Sequence, residues 1–275
     1  NRMNFVFPVL LDSNKLVMMT FTPAVNVSKI KRFFWDHYEK FGFTGYKRFL
    51  VDLESKIDEF ELKTKKTYII NWGMNPISAI PKKLDSIRMI YIGVLSGRNI
   101  HQTIYGLKEY LDTDPEIEVE RYDIIGAGKE EYMQLIEKAI IDTGLSCIVI
   151  CHGYLSDKDI VPYFDAANVG VGYVPITEYY TNCAVTKVDE YLLSGIPTIA
   201  TATNWNKKII NDSNGVLVQD NAHSFCQGLE LMAKRFISYS SENIIKTVEN
   251  RSVVYRVKND IVPTFNKIID EIEIE

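Results

Sequence analysis

The sequence lacks any uninterrupted apolar run near the ~20 residues that cross a bilayer, which argues against an integral membrane protein. Internal repeats and low-complexity segments are missing too. A chain that is 46% hydrophobic and 24% charged has the composition of a globular protein, not of a disordered or collagen-like one. Only four cysteines are present. Cys147 and Cys151 sit in an apolar, strand-like run, and neither Cys183 nor Cys226 helps to supply a second pair at zinc-ligand spacing. Buried, reduced thiols are expected, and no metal site. Residues Asn1 to Phe7 lack the charged, apolar and small-residue sections of a secretory signal, so a cytoplasmic protein is expected.

What is there begins with length and charge. At roughly 150 residues per domain, 275 residues make two domains or one large one. The net charge of −5 is unevenly spread, because residues 1–80 hold 12 Lys/Arg against 8 Asp/Glu and the remainder therefore carries −9. A basic front attracts anionic surfaces or substrates. Scatter of solvated surface charge accounts equally well for the same numbers.

From residue 88 onward, apolar runs of strand length alternate with helical patterns. Strands are expected at 88–92, 122–125, 147–151, 169–174, 198–201 and 215–218. Helices are expected at 100–111, 130–143, 158–166, 185–193, 205–211 and 222–236. Six strand and helix repeats, with strands apolar on both faces, predict a parallel sheet covered by helices on both sides, a doubly wound domain over 87–240. The front reads differently. Strands are expected at 4–11, 16–21 and 67–70, one helix with Ile30, Phe33, Phe34, Tyr38 and Phe41 in phase, and another with Phe49, Leu53, Ile57 and Phe60. Asn71-Trp72-Gly73, Pro76 and Pro81 punctuate a linker at 73–86. Residues 1–80 thus form a small or incomplete α/β part. Past 240 the chain is polar helix, with Ile261, Phe265, Ile268 and Ile272 as an apolar seam that packs back on another surface.

In such a sheet, ligands bind beyond the carboxyl ends of the strands, where helix N-termini direct their N–H groups. The loops there are 93–98, 126–128, 152–155, 175–187 and 201–205. Gly93 lets the backbone approach a ligand, and Ser96-Gly97-Arg98 adds a cation that grips phosphate. Gly126-Ala127-Gly128 is part of a dinucleotide fingerprint, but Glu131 stands where its third glycine belongs, so it reads as a tight strand-to-helix turn. Lys187 and Glu190 share a helix face and offer an ammonium for a diphosphate and a carboxylate for a vicinal diol. Spacing alone favours a simple surface ion pair.

Taken together, Tyr91-Ile92-Gly93-Val94-Leu95 with Arg98, Ile125-Gly126-Ala127-Gly128, His152-Gly153-Tyr154-Leu155, Ala166 to Val171, and Lys187, Glu190-Tyr191-Leu192 and Gly195-Ile196-Pro197 resemble the donor-binding half of GT-B glycosyltransferases. Their order is similar to that of the large retaining family 4, and Asn211 to Val218 resembles its next strand. The resemblance runs from about 67 to 236. It implies a GT-B-like fold with one complete Rossmann-like donor domain, a nucleotide-sugar donor, transfer with retention, and neither metal nor other cofactor. By position it implies that Glu190 holds the ribose hydroxyls and that Gly153 and Tyr154 line the base. Arg98 and Lys187 would meet the diphosphate, assisted by N–H groups near Cys183 and Ala184. Asn182 stands eight before Glu190, where the family usually has an acidic residue contacting the sugar. An amide bonds a sugar hydroxyl but does not stabilise developing positive charge as a carboxylate does. The catalytic residue is left unassigned.

The expected partners are a nucleotide-sugar and a glycan or lipid-linked acceptor, with no nucleic acid. Lys29 to Trp35 mixes cations with aromatics as a membrane-surface helix does, which would make the enzyme peripheral to the membrane, although its in-phase apolar residues fit a core-packed helix better. His37, the only histidine of the front, is not expected to be catalytic. A non-catalytic nucleotide-sugar-binding subunit is the rival reading, favoured by Asn182 and the short front.

Overall fold

A computed structural model describes residues 15–19, 41–52, 54–181 and 183–274. The chain divides into two compact units, Asn1–Gly73 with Val253–Glu275, and Met74–Ser252.

The smaller unit contains β1 (Val17–Met19), β2 (Arg48–Val51), α1 (Ser55–Glu59) and β3 (Lys66–Ile69), and the three strands form a parallel sheet in the order β1-β2-β3. The expected helix through Phe49, Leu53, Ile57 and Phe60 is corrected here. Arg48–Val51 is a strand buried on both faces, and helix begins only at Ser55. Phe49 and Val51 pack with Phe43, Tyr46, Phe60 and Leu62 on one face, and Leu50 packs with Tyr68 and Ile70 on the other. A doubly buried strand shows as a continuous apolar run, and periodicity alone does not separate such a run from a helix. The strand expected at 4–11, the Lys29–Trp35 run and His37 lie outside the described residues. Of the seam read from Ile30 to Phe41 only Phe41 is described, and it is exposed.

The larger unit carries β4 (Ile87–Ile92), α2 (His101–Leu111), β5 (Val119–Ile125), α3 (Glu130–Thr143), β6 (Val149–Gly153), α4 (Val161–Ala166), β7 (Val169–Gly172), α5 (Glu178–Thr181), α6 (Thr186–Leu193), β8 (Thr198–Thr201), β9 (Gly215–Val218), α7 (Ala222–Arg235) and α8 (Ser241–Val248). Its six strands are all parallel in the order β6-β5-β4-β7-β8-β9. The order reverses between β4 and β7, which places a ligand crevice beyond their carboxyl ends. Alternation along β4 sends Ile87, Met89 and Tyr91 into one core with Ile104, Phe225 and Leu229, and Ile90 into a second with Phe164, Tyr191 and Ile196. The helix expected at 205–211 shrinks to one 3₁₀ turn, Asn206–Lys208. Asn206 donates its side-chain amide to the Thr201 carbonyl and its N–H to Thr203 Oγ1, local bonds that compete with helix.

After the larger unit come α9 (Val253–Arg256) and α10 (Val262–Ile274). Ile268 joins Leu50, Tyr68 and Ile70 in one cluster with Ile261 and Ile272 against it, and Tyr68 donates to Glu271 at 2.5 Å, so this seam covers the second face of the small sheet. Phe265 stays partly exposed. None of the four cysteines is in a disulfide, but Cys147 and Cys151 are exposed, which corrects the expectation of burial; only Cys226 is buried. Among the described residues no helix is long and apolar enough to cross a membrane.

Burial of hydroxyls and amines gives the fold an alkaline signature. Burial above all raises Tyr91, Tyr122, Tyr173 and Tyr191, and it lowers Lys82 from 10.5 to about 8. Between pH 8 and about 10 the unfolded chain keeps the Lys82 proton that the folded chain releases, so stability rises with pH. Above about pH 10 unfolded tyrosines ionise while the buried ones hold their protons, so stability falls. Urea midpoints at pH 7.5, 9.5 and 11 are expected to rise and then drop steeply.

Candidate functional site

The site is built from glycines that let a helix and three loops come close. Gly170 and Gly172 lie two apart on β7 and so on one face, and a Cβ on them would come within 2.5 Å of the Tyr191 ring and 2.6 Å of Val188. Those two side chains of α6 are fully buried. Tyr191 also accepts the Ile92 N–H at 2.9 Å, which fixes α6 against the end of β4. The helix therefore turns Lys187 and Glu190, neither of them fully buried, toward the carboxyl edge of the sheet.

At that edge the loops after β4, β5 and β6 are stitched by backbone bonds. Gly93 donates to Ile125, Leu95 to Ala127, and Gly126 to Gly153, at 2.8 to 3.0 Å. Gly126 has φ +151°, and a Cβ there would sit 1.9 Å from the Gly93 carbonyl oxygen, so only glycine closes this junction. Gly126-Ala127-Gly128 is accordingly the strand-to-helix turn expected.

Two cations converge on the end of β4. Lys187 Nζ lies 3.7 Å from the centroid of the buried Tyr91 ring, where it would be 2.9 Å from a Cβ on Gly93. The Arg98 guanidinium lies 4.3 Å from the Tyr180 ring centroid, and its Nη1 is buried with no hydrogen-bond partner among the described residues. The Arg98 loop is held from behind, where Asp220 accepts from Tyr173 at 2.8 Å and from Asn99, at φ +54°, at 3.5 Å. Burial, and next the charge of Arg98, push the Lys187 ammonium well below its ordinary range, with Glu190 pulling it back. Burial raises the Glu190 carboxyl, Lys187 lowers it, and Asp189 and Asp157 raise it further. Asp157 lies in the loop after β6, so Glu190 and that loop face each other electrostatically. No ion pair joins Lys187 to Glu190 among the described residues. Two cations held on aromatic faces at one strand end are arranged for an anion.

Gly93, Arg98, Lys187 and Glu190 are thus brought to one place. Gly153 (φ +68°) ends β6 and the 78% exposed Tyr154 follows it, two strands from β4, which is about 10 Å at ordinary strand spacing and the reach of a nucleotide across the sheet edge. Ala184 is exposed, whereas the Cys183 N–H donates to the Tyr180 carbonyl at 3.3 Å and closes a turn, which argues against its assisting role. Asn182 lies outside the described residues. Tyr91 and Tyr180 are the rings beneath the two cations that sequence reasoning did not assign to the site, since nothing in the pattern separates a ring beneath a cation from a core ring.

A family model described as glycosyl transferases group 1 matches residues 88–234. No curated protein matches the sequence. Among solved structures, sucrose-phosphate synthase from Thermosynechococcus elongatus is 16% identical, with TM-score 0.61 over 92% of this chain and 68% of its own. HepE of Anabaena in complex with UDP is 13% identical, with TM-score 0.65 over 90% and 72%. The lipopolysaccharide outer core galactosyltransferase WaaB, in its apo form, is 15% identical, with TM-score 0.64 over 97% and 78%.

Proposed function

The chain belongs to the glycosyl transferases group 1 family and has a GT-B-like α/β fold, and from that premise we propose that it transfers a hexose from a nucleotide-sugar to a glycan or lipid-linked acceptor. The observation that carries this reading is the convergence of Arg98 and Lys187 at the β4 end, with Glu190 one turn along the same helix face. The two cations hold the diphosphate, and their charge stabilises it as it leaves. Glu190 accepts from the vicinal hydroxyls of the ribose, and Gly153 with Tyr154 lines the base. HepE, solved with UDP, makes a uridine nucleotide the first donor to try. Transfer proceeds with retention as in family 4, needs no metal because side-chain cations neutralise the diphosphate, and serves surface polysaccharide synthesis on the cytoplasmic side. The acceptor hydroxyl attacks on the face that the diphosphate leaves.

A thermal-shift screen against UDP, GDP, ADP and their sugars tests the donor, because stabilisation grows as RT ln(1 + [L]/Kd). Glu190→Ala is expected to weaken nucleoside diphosphate binding by roughly 10- to 100-fold, the scale of hydrogen bonds to a charged acceptor. Unchanged affinity by calorimetry overturns its assignment. A second reading keeps donor binding and drops transfer, since Asn182 stands where the family usually places an acidic residue. Turnover of the donor by the full chain separates the two.

A further inference from the structure

β6 carries a bulge beside the proposed base-binding strip. Ile124 of β5 pairs with Cys151 and the next residue, Ile125, pairs with Gly153, so His152 is the extra residue of the ladder. Bulges re-aim side chains. Here His152 Nε2 lies 2.6 Å from Asp123 Oδ1 on β5, and Nδ1 lies 3.3 Å from the hydroxyl of Tyr163 on α4, with the two rings 4.6 Å apart between centroids. Arg121 Nε donates to the same Asp123 oxygen at 2.7 Å. An ionised carboxylate only accepts, so Nε2 carries the hydrogen and the Tyr163 hydroxyl donates to Nδ1, which satisfies both ring nitrogens. The side chains of Asp123 and His152 are 9% and 14% exposed.

Stability alone does not call for this chain of polar groups. Tyr163 packs against the apolar cluster that holds Ile160, Phe164 and Ile125, and Asp123 lies two before Ile125 on the same strand face, where an apolar side chain would pack without desolvating a carboxylate. A satisfied buried network instead fixes one geometry. What it fixes is the next residue, Gly153, at φ +68°, followed by Tyr154, whose exposed side chain takes its place from the backbone. We infer that His152, held between Asp123 and Tyr163, is a positioning residue that sets the Gly153-Tyr154 strip for the nucleotide base. The inference rests on the donor reading above.

Calorimetry on the full chain tests this with two probes, inorganic pyrophosphate and whichever of UDP, GDP and ADP the wild type binds tightest. Tyr163→Phe removes one hydroxyl and keeps the ring, so it guards against a variant that fails to fold. Tyr163→Phe and His152→Leu are expected to raise the nucleotide Kd about tenfold, the scale of one lost hydrogen bond, and to leave the pyrophosphate Kd unchanged. His152→Gln, whose amide reaches Asp123 as Nε2–H does but which offers Tyr163 no counterpart of Nδ1, is expected to match Tyr163→Phe. Equal weakening of both probes, or no change in either, overturns the positioning role. Wild-type binding of pyrophosphate but of no nucleotide overturns the role while leaving the anion site standing. Binding of neither probe by the wild type overturns the donor reading and this inference with it.

Discussion

Lys187→Ala is expected to lower the rate of sugar transfer by roughly 10²- to 10³-fold, the cost of removing one preorganised donor from a developing negative charge. The ammonium lies over the end of β4, 3.7 Å from the Tyr91 centroid, where the charge of Arg98 lowers it more than that of Glu190 raises it. The site thus holds like charges together, and a bound diphosphate supplies counter-charge to both. As negative charge gathers on the leaving group, the attraction grows, so the loss falls on kcat more than on KM. Lys187→Met keeps the stem over the Tyr91 ring and is expected to lose the same rate, which separates charge from packing. A rate within threefold of wild type would remove Lys187 from the chemistry.

The same geometry links binding to protons. Lys187 is held well below its ordinary range by burial and by the charge of Arg98, and a bound anion raises it again. The complex therefore takes up a proton wherever the free ammonium is partly deprotonated, and affinity falls as pH rises through that range. Titrations in buffers of different ionisation heat should show the uptake in the wild type and none in Lys187→Met.

The larger unit was legible because its strands are short apolar runs between glycines and its helices carry a clear 3.6-residue period. Thr198–Thr201 and Gly215–Val218 fall where the pattern puts them. β2 was not, because Phe49, Leu53, Ile57 and Phe60 fall on one helical face while Phe49 and Leu50 in fact point to opposite cores. Lys187 and Glu190 could be read from their spacing, but whether they pair with each other or face a ligand depends on Gly170 and Gly172 seating the helix, a tertiary effect. The Asp123–His152 contact spans two strands and depends on a bulge that no local pattern announces. Its one signal was an acidic residue inside the apolar run Tyr122-Asp123-Ile124-Ile125, since a buried carboxylate demands a partner.

Arg251→Met is expected to cost the larger unit about 1–3 kcal/mol, the scale of hydrogen bonds between charged groups in a largely buried pair. Arg251 forks onto Asp189 of α6, Nε to Oδ1 and Nη2 to Oδ2, the second at 3.3 Å. The two side chains are 20% and 6% exposed, and the guanidinium also lies 5.0 Å from the Trp205 ring centroid. The Arg251 carbonyl accepts the Met74 N–H at 3.0 Å, and Met74 bridges Ser252, so the pair ties α6 to both points where the chain enters and leaves this unit. The double-mutant cycle of Arg251→Met with Asp189→Leu in urea unfolding is expected to show a coupling of about 1 kcal/mol or more between the two residues. Because Glu190 follows Asp189, the folded single variant should also bind nucleoside diphosphate more weakly than wild type. A loss below about 1 kcal/mol, the range of solvated surface pairs, would show that water already screens this contact and that α6 is held by the packing of Val188 and Tyr191 alone.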